Sequence, residues 1–113
     1  MTTISQAELG RSGCLAPSAQ GARRQPIEEL ARSFPGLRFA LGVEPWDALA
    51  LDAWARGPAP GHGARCAAQF VLSVWNSWAE WSCGRFDVME ALGCWDEQHR
   101  AAFLNWARAP WWP

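Results

Sequence analysis

At 113 residues with a net charge of −1, the chain is one domain, and its acidic and basic side chains interleave rather than gather into the patch that nucleic-acid binding needs. No apolar run approaches the ~20 residues of a membrane span, and the start of the chain lacks the basic-then-apolar pattern of a secretory signal. These features lead us to expect a cytoplasmic protein with reduced cysteines.

Residues 1–25 carry scattered apolar side chains and no sustained period, and read as a flexible tail outside a Trp-rich helical domain over 26–113. Pro26 suits the first helical position, after which Ile27, Leu30, Ala31 and Phe34 fall on one helical face. Glu28 and Arg32 are spaced for an i, i+4 pair on the other side. Pro35-Gly36 stops this helix. From Leu37 to Val43 the apolar residues Leu37, Phe39, Leu41 and Val43 share one parity, which predicts an extended segment, either a connector pressed on the helices or an edge seeking a partner strand.

A second helix is expected to open at Glu44-Pro45, with Trp46, Leu49, Ala50 and Ala53 inward, Trp54 at the margin, and Asp52 spaced to pair with Arg56. The stretch "GPAPGHG" is a turn-rich loop. The third helix is predicted from about Ala64 to Ser82. There Ala67, Phe70, Val71, Val74, Trp78 and Trp81 crowd one side, opposite Arg65, Gln69, Ser73, Asn76 and Glu80, and Gly84 supplies the stop. Asp87 caps a short helix, with Glu90 three residues on as in a capping box, and Gly93 interrupts it. Asp96 caps the last helix, about Glu97 to Arg108, whose apolar face is His99, Ala102, Phe103 and Trp106. The fold class is therefore mainly α, a small bundle of about four helices with one extended segment at 37–43.

Four motifs invite a chemical reading. The triplet in "WNSWAEWSCG" resembles the opening of a thrombospondin type 1 repeat, but that family needs a secretory route and normally six paired cysteines, whereas this chain has four. The terminal "PWWP" resembles the signature of a methyl-lysine-reading domain, yet no barrel follows it. His62/Cys66 and Cys94/His99 are spaced like halves of a zinc site. There is no C-x-x-C pair, and His99 sits mid-face between apolar neighbours, so core packing is the expectation and no metal or other cofactor is assigned. Cys94, Asp96 and His99 could serve a nucleophile and base, but no nucleophile elbow or oxyanion-forming loop accompanies them, and an enzyme is not expected.

The phrases "VEPWDALALDAWARGPAPGHGARCAAQFVLSVWN", "ALGCWDEQHRAAFLNWA" and "APWWP" are similar to small proteins encoded on proteobacterial integrative and conjugative elements. The resemblance spans Ile27 to Pro113. It implies a bacterial accessory protein of a mobile element and supplies no activity. A composition skewed toward residues with GC-rich codons, in which all ten basic residues are arginine, fits that origin.

Nine tryptophans can bury roughly 1,350–2,250 Å², more than a core this small readily absorbs. Trp is also a preferred interface anchor. The expected function is thus a non-enzymatic module that binds another protein or its own copy through Trp54, Trp75, Trp111 and Trp112. The alternatives are a metal- or small-ligand-binding protein using His62, Cys66, Cys94 and His99, and a protein inhibitor of a host defence system.

Overall fold

The computed structural model describes residues 16–113, with side chains from Arg24 onward. Most of the expected tail therefore lies outside the described residues. Five α-helices and one 3₁₀ turn follow in order: α1 (Ala16–Arg32), the 3₁₀ turn (Pro35–Leu37), α2 (Ala48–Arg56), α3 (His62–Trp75), α4 (Val88–Cys94) and α5 (Glu97–Arg108). Among the described residues there is no strand. The mainly α class holds, and the short segment capped by Asp87 is a helix beside the four expected.

Helix α3 is the central pillar. Cys66 through Leu72 and Val74 are all buried, as expected of a helix packed on every side. It touches α1, α2, α4 and the 3₁₀ turn, while α5 closes onto that turn. Phe70 is the hub of an aromatic cluster, edge-on to Phe34, Phe103 and Trp106 at ring-centroid distances of 5.7, 5.2 and 5.0 Å. Trp95 meets Phe34 at 5.5 Å and Phe103 at 5.7 Å. Edge-to-face pairs at these separations add to simple area burial, and here they join the segment after α1 to α3 and α5 in one core.

The first predicted face is correct: Ile27, Leu30, Ala31 and Phe34 are buried. Pro26, however, lies inside α1 rather than at its start. Glu28 accepts the backbone N–H of Trp46 at 2.8 Å, and Arg32 pairs with Glu44 at 2.9 Å instead of with Glu28.

Residues 37–43 are not extended. Backbone bonds run from Leu37 to Phe34, Ala40 to Leu37 and Val43 to Ala40, so the chain winds in successive three-residue turns. Side chains three apart eclipse one another in such a path. Accordingly Phe34, Leu37, Ala40, Val43 and Trp46 are the buried set, while Phe39 and Leu41 point outward at 97% and 68% exposure. Gly42 makes the path possible: its φ is +90°, and a Cβ there would lie 2.4 Å from the Leu51 nitrogen.

Helix α2 starts later than predicted, with Asp47 as its N-cap accepting from Ala50. Its inner face is Leu51, Asp52 and Ala55, and Leu49 is exposed. The predicted phase was wrong because a buried acid belongs to the inner face. Beyond its last turn, Arg65 donates to the carbonyls of Ala55 and Gly57, which satisfies acceptors that a helix end leaves open.

The last two caps stand as predicted. Asp87 accepts from Met89 and Glu90, and Asp96 accepts from His99. Gly93 does not interrupt α4 but lies within it.

Candidate functional site

Helix α3 ends at Trp75, not at Ser82. The Asn76 side-chain oxygen accepts the Trp78 N–H at 3.0 Å, a local turn that competes with helix. The Trp81 indole N–H then donates to the Asn76 carbonyl at 3.2 Å. The decisive contact comes from α2. Asp52, buried, accepts the N–H groups of Ser82 at 3.0 Å and of Cys83 at 2.8 Å, so it does not spend its charge on Arg56. Burial alone would raise its carboxyl pKa, but the hydrogen bonds from Cys83 and Ser82 outweigh that and hold it below the usual carboxylate range. Gln69, expected on the polar side, is buried and donates to the Cys83 carbonyl at 2.7 Å. Gly84, at φ +105°, turns this loop rather than stopping a helix.

The braced loop carries Trp78 into solvent at 93% exposure. Trp81 is half-buried against the core. An open groove of about 640 Å³ runs between them, lined also by Ser73, Arg85 and Phe86. The partner-binding candidates named from sequence are distributed differently. Trp54, Trp75 and Trp111 are half-buried and pack against the core, Trp75 lying 5.3 Å from Trp46. The Trp111 carbonyl accepts the Trp106 indole N–H at 3.1 Å, which folds the chain end back on α5. Trp112 is 63% exposed, edge-on to Trp106.

A second cluster lies where α3 meets α4. Ligand atoms of His62, Cys66 and Cys94 all fall within 4.8 Å of one another. The Cys66 and Cys94 sulfurs are 3.7 Å apart. His62 Nε2 lies 2.5 Å from a Glu90 carboxylate oxygen. Burial, then the contact with Cys94, pushes the Cys66 thiol pKa well up. Cys83, the remaining described cysteine, is pushed up to about 12 by burial and by Asp52 beside it.

His99 does not join this cluster. Its Nδ1 sits 2.8 Å from Asp96, and its Nε2 accepts the Gly36 N–H at 3.1 Å. Both ring nitrogens are thus engaged, and His99 is a fully bonded core histidine. The Asp96 carboxyl is held below its ordinary range by the backbone and ring N–H of His99. Glu90 borders the cluster instead, hydrogen-bonded to His62. Its spacing to Cys94 repeats that of His62 to Cys66, a signal present in the sequence but masked by the capping role read for Glu90.

Comparison of the chain with protein-family models, curated proteins and solved structures returned no match. Among the described residues, no helix is long and apolar enough to cross a membrane.

Proposed function

We propose that this chain is a non-enzymatic interaction module that docks another protein on the groove beside Trp78. The exposure of Trp78 carries this reading. Leaving one indole in water forgoes on the order of 4–6 kcal/mol of burial, as an upper bound. The loop that displays it is no loose end, because Asp52, Asn76 and Gln69 tie it down. A fixed, exposed Trp above an aromatic-lined groove has the character of an interface anchor, and Glu80 and Arg85 at the rim suit a partner with mixed charge. The setting follows the resemblance noted above: a bacterial, cytoplasmic accessory protein of a mobile element, with a protein rather than nucleic acid as its partner.

The test is site-specific photocrosslinking in the native host, with the reactive residue at position 78 and, as control, at the exposed Glu29. A single defined adduct from position 78, absent from position 29, is expected. Sedimentation of the isolated chain separates a second copy from a different partner. Failure to crosslink from position 78, with a monomeric chain, would remove the reading. Trp78→Ala should abolish the adduct while shifting folding stability by no more than about 0.5 kcal/mol in urea unfolding, as for an ordinary surface substitution.

A further inference from the structure

We propose that His62, Cys66 and Cys94 form a site for a thiophilic divalent cation, zinc, at the junction of α3 and α4, with Glu90 hydrogen-bonded to His62 as its outer partner. Two helices each contribute an i, i+4 pair. His62 and Cys66 open α3, and Glu90 and Cys94 lie on α4. Side chains four apart on a helix project from one face, so α3 offers two ligands, and α4 offers Cys94 together with the Glu90 that bonds His62.

The distances fit. A tetrahedral zinc with Zn–S bonds of about 2.3 Å holds two sulfurs about 3.8 Å apart, and the Cys66 and Cys94 sulfurs stand at 3.7 Å. A disulfide would bring them to about 2.0 Å. The third donor, His62, offers a ligand atom within 4.8 Å of both sulfurs. Glu90 stands 2.5 Å from His62 Nε2, the place of an outer carboxylate that orients a ligating imidazole. Both side chains are about half exposed, so small adjustments there move nothing in the core.

The ligand chemistry selects the ion. Two thiolates and an imidazole favour zinc over magnesium or calcium, which require oxygen ligands. The site is closed on the protein side by buried Cys66 and open to solvent at His62 and Glu90, which gives the ion a route in. Binding releases the thiol protons and ties α4, seven residues long, to the central helix. With three protein ligands, the fourth position of a tetrahedral centre is left to water or another small ligand.

The experiment uses the full chain, made without an affinity tag, reduced and stripped with a chelator, then titrated with cobalt(II). Expected are tetrahedral d–d bands and a thiolate-to-cobalt charge-transfer band that saturate at one equivalent and are discharged by zinc. His62→Ala and Glu90→Ala change exposed side chains and leave the core intact. Each should weaken binding at least about tenfold, since even outer partners of metal ligands carry that much. Cys94→Ser should remove part of the charge-transfer intensity, while Cys14→Ser should change nothing. Circular dichroism on every variant confirms that helix content is retained. No charge-transfer band, affinity unchanged by His62→Ala or Glu90→Ala, or loss of the band in Cys14→Ser would overturn the assignment.

Discussion

Asp52 shows how one side chain redirects a chain. Its two oxygens replace the helical partners that Ser82 and Cys83 would otherwise need, and they do so from inside the protein. Hydrogen bonds to a charged group contribute about 1.5–3 kcal/mol each, and a buried N–H left without a partner carries a desolvation cost. Asp52→Ala should therefore destabilise the fold by about 2–4 kcal/mol in urea unfolding, a large part of what a domain this size possesses. Asp52→Asn should lose less. Because the folded-state pKa of Asp52 lies below its unfolded value, its contribution is complete above about pH 4 and fades as pH falls through the folded value. The stability gap between wild type and Asp52→Asn should accordingly narrow on acidification below about pH 4. A gap that stays constant down to pH 2 would contradict the role. Sequence spacing paired this acid with Arg56 because i, i+4 geometry is visible in one dimension, whereas a bond across thirty residues is not.

At the scale of elements, the helices whose signals are local were legible. Asp87 and Asp96 cap α4 and α5 as the sequence indicated, and the inward faces of α1 and α5 follow from apolar period alone. Two segments were not legible, each for a physical reason. Residues 37–43 alternate in hydropathy, but the chain turns every three residues, so burial follows Phe34, Leu37, Ala40, Val43 and Trp46. Beyond Trp75 the tryptophan spacing continues a helical pattern, yet Asn76 and Asp52 supply competing bonds that pattern cannot register. The turning segment depends on Gly42. Gly42→Ala places a methyl against α2 backbone and an unfavourable positive φ on a β-carbon-bearing residue. We expect a loss of at least about 2 kcal/mol in urea unfolding. An alanine variant as stable as wild type would show that the turns from Leu37 to Trp46 can follow another path.

Over the whole molecule, the tryptophans divide by role. Trp46 and Trp95 are buried, and Trp95 donates its indole N–H to the Gly63 carbonyl at 2.9 Å. Trp54, Trp75, Trp81, Trp106 and Trp111 pack on the core edge, and Trp78 and Trp112 remain in solvent. The apparent excess in composition is thus mostly absorbed by a core that α3 organises from its centre. The three residues of the candidate metal cluster, His62, Cys66 and Cys94, were legible in the sequence, while the exclusion of His99 needed the packing of α5 against Gly36. The chain leaves the helix after Trp75 and holds Trp78 in solvent, which the proposed docking of a partner requires. The most direct measurement is water exchange of the indole N–H groups in the ¹⁵N-tryptophan-labelled full chain, assigned with Trp78→Phe. The Trp78 indole should exchange freely with water while that of Trp95 is protected. A Trp78 indole as protected as that of Trp95 would mean that the helix runs on to Ser82 and that the proposed docking surface does not exist.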